Sequence, residues 1–157
     1  MKLQRNSFLY VLFAGLAFLL IQSCEKEDKG KNETNISAHG LNKSHNMGQN
    51  CMNCHKSGGE GEGWFNVAGT VYDSLKSQTY ANATVHLYTG PNGSGTLKYT
   101  VLGDAKGNFY TTESIDFGSG LYPAVAGAQG TQYMSTAITA GQCNSCHGVS
   151  TSRLWTK

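Results

Sequence analysis

Two copies of one five-residue pattern contain the residues of this chain best suited to chemistry. The copies consist of Cys51, Cys54 and His55 and of Cys143, Cys146 and His147. In each copy, two thiols lie three residues apart and a histidine directly follows the second thiol. Such thiols can form thioether bonds to the two vinyl groups of a haem, and the histidine can then bind the iron. The pattern therefore predicts two covalently bound haems c, with His55 and His147 as the proximal iron ligands.

Two other uses of the four motif thiols stay open at this level. Cys51 with Cys54, and Cys143 with Cys146, can form two local disulfides, or all four thiols can bind one structural zinc ion. A disulfide that spans two intervening residues closes a very short loop and therefore stabilises the fold little. Neither alternative explains why a histidine follows both pairs of cysteines.

The repeated pattern resembles the haem-attachment site of c-type cytochromes. The resemblance covers the two five-residue segments and implies an electron carrier. The candidates for the distal iron ligands are His45, in a polar loop before the first motif, and Met134, which lies nine residues before Cys143. Because His45 is tethered closely to Cys51, we expect it to reach the second haem more easily than the first. A distal histidine gives a low reduction potential, whereas a methionine raises it.

The start of the chain has the features of an export signal. A short basic segment precedes an apolar stretch over residues 8–21, and Cys24 follows shortly afterwards. The stretch has the length of a signal-peptide core and is too short to predict a transmembrane helix. Residues 20–24 resemble a bacterial lipobox, which implies a lipoprotein signal peptide at residues 1–23 and a lipid on Cys24. The alternative is an ordinary signal peptide, whose removal leaves Cys24 as a free thiol.

Residues 24–44 are predicted to be a flexible polar tether between the lipid and the folded part. Residues 25–33 contain no large apolar residue and cannot bury a core. The acidic start of this segment resembles the surface-export tags of some bacterial lipoproteins. We therefore expect a protein of the bacterial cell envelope, lipid-anchored at the outer membrane on its periplasmic side or at the cell surface.

Composition limits the remaining classes of function. When the basic residues of the leader are removed, the basic and acidic residues of the chain balance. Nothing resembles the basic patch of a nucleic-acid-binding protein, so nucleic acid is not expected as a partner. The 20 glycines and two prolines indicate short strands and tight turns rather than long helices.

From about residue 65 to residue 138, the sequence has the period of two that is typical of half-buried β-strands. Candidate strands cover residues 67–72, 83–88, 97–102, 108–112, 122–126 and 132–138. Glycine-rich turn sequences separate them. The pattern predicts a mainly β fold, an antiparallel β-sandwich, flanked by two haem-attachment segments with short helical or loop structure.

Three segments of this region resemble the carboxypeptidase regulatory-like domain. They are residues 68–73 (AGTVYD), 81–88 (ANATVHLY) and 103–110 (GDAKGNFY). The match covers about residues 66–127, and Asn82 stands where this family commonly has glycine. The resemblance implies a prealbumin-like sandwich of about seven strands that carries no chemistry of its own.

These observations together predict one dihaem cytochrome domain over residues 45–157. We expect the two attachment segments to lie on one side of the sandwich, with the two haems close together. The expected function is a membrane-anchored dihaem cytochrome c, not an enzyme, that transfers electrons between other cytochromes or oxidoreductases of the cell envelope. Two alternatives stay open: a peroxidase-like or gas-binding haem protein with one open iron site, and an envelope binding module with structural haem.

Overall fold

The computed structural model describes residues 31–157. The predicted signal peptide at residues 1–23, the predicted lipid-bearing Cys24 and the first residues of the predicted tether lie outside the described residues. Between residues 31 and 157, no helix is long and apolar enough to cross a membrane.

Two β-sheets form this part of the chain. The strands of residues 31–157 are β1 (Val67–Thr70), β2 (Thr84–Tyr88), β3 (Leu97–Leu102), β4 (Asn108–Thr111), β5 (Tyr122–Gly127), β6 (Gly130–Tyr133) and β7 (Gly141–Gln142). One sheet has the strand order β4-β1-β7, and the other has the order β3-β2-β5-β6. Neighbouring strands are antiparallel except β1 and β7, which pair in parallel. The predicted mainly β sandwich of about seven strands is confirmed.

The core lies between the two sheets. Val85 and Leu87 of β2 are buried, and the residues that alternate with them are only half-buried. Val67 of β1 and Phe109 of β4 belong to the same hydrophobic cluster and reach it from the other sheet. This is the arrangement that alternating apolar residues produce when one face of a strand lies in the core.

Strands β1 and β4 of the three-stranded sheet are buried on both faces. Every residue of β1 and β4 is buried, although only alternate residues can face the core. On the outer face, Ala68 and Tyr110 form a second cluster with Phe65, and Cys51 and Met52 pack against it. The first attachment segment therefore covers the outer face of this sheet.

The described part of the predicted tether is docked on the sandwich. The amide of Ser37 donates to the carbonyl oxygen of Tyr110 at 2.9 Å, and Ile36 pairs with Thr111 in an antiparallel bridge along the edge of β4. An exposed strand edge offers backbone partners, so a polar segment can bind there without burying much apolar surface. The carbonyl oxygen of Lys31 also accepts from the amide of Gly63 at 2.9 Å. The prediction of a flexible tether up to residue 44 is therefore corrected: residues 31–44 belong to the folded part.

The end of the sandwich also differs from the sequence prediction. β6 ends at Tyr133 and not at residue 138, and Ile138 returns to the sandwich in a bridge with Leu121. β7 was not predicted, because two residues are too few to show a period. The parallel pairing of β7 with β1 places the second attachment segment directly beside β1.

Candidate functional site

Both attachment motifs have the same backbone conformation. Cys51–Asn53 and Cys143–Ser145 each form one turn of 3₁₀-helix. In each motif, the carbonyl oxygen of the first cysteine accepts hydrogen bonds from the amides of the second cysteine and of the histidine, at 3.0–3.3 Å. The two motifs are therefore copies of each other in structure as well as in sequence.

The ring nitrogen Nδ1 of each motif histidine is hydrogen-bonded to a backbone carbonyl oxygen. The acceptor for His55 is the carbonyl of Glu62 at 2.8 Å, and the acceptor for His147 is the carbonyl of Ser152 at 2.8 Å. Because a carbonyl oxygen only accepts, the proton of the neutral imidazole is on Nδ1 and the lone pair is on Nε2. Both rings are thus held in the tautomer that binds a metal through Nε2, with the kind of carbonyl partner that metal-bound histidines commonly have.

A glycine-rich loop brings the carbonyl of Glu62 to His55. At Gly61, a Cβ atom would lie 2.7 Å from Nδ1 of His55, so the loop can pass against the ring only because this residue has no side chain. The ring of Phe65 stacks on the ring of His55, with centroids 4.1 Å apart and planes at 10°. These contacts fix the orientation of the first motif imidazole.

A cavity of about 500 Å³ lies beside the first motif. Cys51, Cys54 and His55 line it together with His45, whose ring centroid lies 6.0 Å from that of His55. Two imidazoles that bind one metal from opposite sides, with metal–nitrogen bonds of about 2.0 Å, have ring centroids roughly 6 Å apart. The volume lies within the range of cofactor sites. The residues of this cavity therefore fit a haem, which His55 and His45 would hold through their imidazole nitrogens.

His45 lies at the first motif, and the expectation that it reaches the second is wrong. The chain after His45 reverses direction through Asn46 and Gly48, whose φ angles are +52° and +83°. The amide of Gln49 donates to the carbonyl oxygen of Asn46 at 3.0 Å and closes this turn. The turn folds His45 back toward His55, so the short sequence separation does not prevent the two rings from sharing a cavity.

A second cavity of about 460 Å³ lies beside the second motif. Cys143, Cys146 and His147 line it, and Met134, the other predicted distal ligand, lines it as well. Apolar residues of both sheets contribute to the wall, among them Val85, Phe109, Pro123 and Val125. A methionine and a histidine thus line one mainly apolar space, and residues of these types could hold a haem through one nitrogen and one sulfur.

None of the four motif thiols is in a disulfide. Burial raises the pKa of Cys143 to about 12 and also raises the pKa of Cys51, whereas Cys54 and Cys146 are exposed. Among residues 31–157, no group of three or more His, Cys, Asp or Glu side chains is placed to hold a metal ion, so the thiols do not converge as a shared zinc site requires. Among the described residues, the geometry therefore does not support a shared zinc site.

The two attachment segments lie side by side. The side-chain amide of Asn144, inside the second motif, donates to the carbonyl oxygen of Gln49, just before the first motif, at 3.1 Å. The side chains of Asn50 and Gln142 also meet, with Nδ2 and Oε1 3.4 Å apart. The expectation that the two segments lie together is confirmed, and close approach of two haems stays a prediction.

Sequence reasoning identified the cysteines and histidines but not the groups that hold them. The carbonyls of Glu62 and Ser152 have no sequence signature, because every residue provides a carbonyl. The buried polar side chains of Thr70, Asn108 and Asn144 occupy positions that no motif specifies. The cluster of glycines after the first motif was the one detectable sign of a loop that approaches a side chain closely.

Comparison with known proteins adds nothing to this geometry. No protein-family model, curated protein or solved structure matches the chain. The resemblances to c-type cytochromes and to the carboxypeptidase regulatory-like domain therefore stay predictions.

Proposed function

We propose that this chain is a dihaem c-type cytochrome that passes electrons in the bacterial cell envelope. One observation carries the proposal: each motif places both thiols, a carbonyl-bonded histidine and one further ligand-type side chain around a single cavity. The combination occurs twice in one chain, although the surrounding residues of the two cavities differ. Two disulfides would need neither the cavities nor the second ligand.

Three kinds of side chain would hold the haems. The covalent links come from the four motif thiols, Cys51, Cys54, Cys143 and Cys146. The proximal nitrogen ligands are His55 and His147, and the distal ligands are His45 and Met134. When bound, each haem supplies a one-electron redox centre, and the protein supplies its position, ligands and surroundings.

The side chains around the two cavities favour an electron carrier over a haem enzyme. A haem with protein ligands on both sides has no open position for peroxide or a gas. A peroxidase-like reaction also needs a positioned acid–base residue near the open side of the iron. No arginine or glutamate is among the described residues that line either cavity, and His45 is used as a ligand.

The location and the partners follow from the sequence of the first part of the chain. An export signal that ends at a lipid-bearing Cys24 would anchor the mature protein at a membrane surface. Residues 25–30 would then link the lipid to the folded part. The partners would be other cytochromes or envelope oxidoreductases, whose contacts with a mobile electron carrier are small and transient.

Reversible reduction of the mature protein tests this function. The chain would be produced in a host that attaches haem c, purified from membranes, and titrated with a reductant and an oxidant while its absorption spectrum is recorded. We expect two reversible one-electron transitions of low-spin haem and negligible peroxide turnover. A high-spin resting spectrum with rapid peroxide turnover would support the haem-enzyme alternative, and a protein with no redox-active absorption would overturn the proposal.

A further inference from the structure

A buried hydrogen-bond network joins the second attachment motif to the loop that carries His45. Its members are the buried side chains of Asn144, Thr70 and Asn108. The hydroxyl of Thr70 donates to Oδ1 of Asn108 at 2.6 Å and accepts from Nδ2 of Asn144 at 3.2 Å. Nδ2 of Asn108 donates in turn to the carbonyl oxygen of His45 at 3.1 Å. A continuous path therefore runs from one motif to the distal-ligand loop of the other.

Each polar side-chain atom of this network has a partner. Oδ1 of Asn144 accepts from the amide of Thr70 at 3.0 Å, and Nδ2 of Asn144 also donates to the carbonyl oxygen of Gln49 at 3.1 Å. The hydroxyl of Thr70 accepts a second bond, from the amide of Gly48 at 2.8 Å. Because a backbone amide only donates, the side-chain amide of Asn144 is fixed in one orientation. Fully satisfied buried networks of this kind specify a single local arrangement.

Packing of side chains cannot hold the His45 loop in place. The side chains of His45, Asn46, Met47 and Gln49 are exposed. The loop is instead held through its polar atoms, at the hydroxyl of Ser44 and at the backbone of residues 45, 48 and 49. These four bonds are made with the three side chains of the network, and one further bond to the loop comes from Nζ of Lys106, which donates to the carbonyl oxygen of Ser44 at 2.8 Å.

We propose that Asn144 is a positioning residue for the haem site of the first motif. Through Thr70 and Asn108, and directly through Gln49, it fixes the backbone of the loop so that the imidazole of His45 stays opposite His55. The inference rests on the proposed function. It adds that the two sites form one unit, because the segment that attaches the second haem also determines the axial ligation of the first.

Removal of the network from the holoprotein tests this role. The variants are Asn144→Ala and Thr70→Val. The matched control is Thr156→Val, at another buried threonine that lines neither cavity and whose hydroxyl donates to the carbonyl oxygen of Gly130 outside the network. Intact mass would first show that two haems are attached. Electron paramagnetic resonance and potentiometric titration would then report ligation. We expect part or all of one haem to become high-spin in both variants, and the reduction potential of that haem to shift. The spectra and potentials of the control variant should equal those of the wild type.

A double-variant cycle with His45→Ala separates positioning from a general loss of stability. If Asn144 acts through His45, the change Asn144→Ala adds no further high-spin haem and no further potential shift in the His45→Ala background. Additive effects would overturn the proposal, and so would unchanged spectra and potentials in both network variants with two haems attached.

The network proposal can be tested even when one variant does not fold or does not acquire haem. Thr70→Val keeps the shape of the side chain and removes the hydroxyl, so it gives the same readouts if Asn144→Ala does not fold. A wild-type chain that carries no haem would contradict the proposed function itself, and this failure is distinct from a failure of the network proposal.

Discussion

The rings of His45 and His55 lie with their centroids 6.0 Å apart at a tilt of 34°, and both rings line the cavity beside the first motif. The other non-motif histidines, His39 and His86, line neither of the two cavities. Of the three histidines outside the motifs, only His45 therefore shares a cavity with a motif histidine. The haem proposed for the first site would therefore have two nitrogen ligands.

Replacement of His45 should open one coordination position. In His45→Ala, we expect one of the two haems to change from low spin to high spin and to bind cyanide or carbon monoxide, because its distal nitrogen ligand is lost. Absorption titration with either ligand measures the number of open sites. The matched control is His39→Ala, whose Nε2 lies 3.4 Å from the hydroxyl of Thr84, away from both cavities. Unchanged low-spin spectra in His45→Ala would remove this residue as the ligand.

Met134 should determine the potential of the other haem. Methionine ligation raises a haem potential relative to histidine ligation. Met134→His is therefore expected to lower one of the two potentials by on the order of 100 mV, within the span of about 0.8 V that axial ligands cover. Potentiometric titration checks this, and Met47→His, at an exposed position outside both cavities, is the control. The same shift in both variants would contradict direct ligation by Met134.

Local signals in the sequence predicted the parts of the molecule that depend on neighbouring residues. The motif thiols and histidines are contiguous, so their geometry follows from one turn of chain. β2 alternates Val85 and Leu87 with polar residues, and this period appears directly in the sequence.

Features that depend on distant partners could not be predicted in this way. Residues 35–44 look like a linker, but they bind a strand edge that the sequence around them does not reveal. The turn at Asn46 and Gly48 redirects His45 toward the first motif. The short sequence separation between His45 and Cys51 had instead indicated the second motif. Asn144 occupies an unspecified position of its motif, and its role depends on Thr70 in β1.

Asp104 is completely buried, and within residues 31–157 only one of its two carboxylate oxygens accepts hydrogen bonds. Its Oδ1 accepts from the amides of Lys106 and Asn108 at 2.9 and 3.0 Å, and its Oδ2 has no hydrogen-bond partner among the described residues. Burial, with a further contribution from the charge of Asp104, raises the pKa of Cys51 and of Tyr110, which line the first cavity. The carboxylate therefore acts electrostatically on two side chains that line the first cavity.

Neutralising Asp104 should raise the potential of the first haem. Asp104→Asn keeps the Oδ1 acceptor and removes the negative charge, which otherwise favours the oxidised iron. The expected rise is on the order of tens of millivolts at one of the two haems. Asp116→Asn, at an exposed loop position, is the control. If titration shows equal potentials in wild type and Asp104→Asn, the carboxylate does not act on the site.

The partial burial of Cys143 should be detectable in its reactivity before haem is attached. The thiolate is the reactive form, and burial raises the pKa of Cys143 from 9.0 to about 12. In protein made without haem attachment, alkylation of Cys143 at about pH 8 should be at least roughly tenfold slower than alkylation of the exposed Cys146. Peptide mass spectrometry after timed alkylation measures both rates, and equal rates would contradict the burial.

The same shift gives a pH dependence of stability with a defined sign. The folded chain holds the proton of Cys143 more tightly than the unfolded chain does. The stability due to this thiol is therefore fully present below about pH 9 and is lost as the pH rises toward 12. Denaturant unfolding of the haem-free protein across this range checks it. Cys143→Ser should lack this part of the pH dependence, and an identical profile in both proteins would contradict the assignment.

The number of covalently bound haems tests the central claim most directly. The mature protein, produced in a host that attaches haem c, would be analysed by intact mass under denaturing conditions beside the double variant Cys143→Ser, Cys146→Ser. We predict a mass increase of two haems for the wild-type chain and of one haem for the variant. A wild-type chain of unmodified polypeptide mass, with all four motif thiols open to alkylation, would contradict the account.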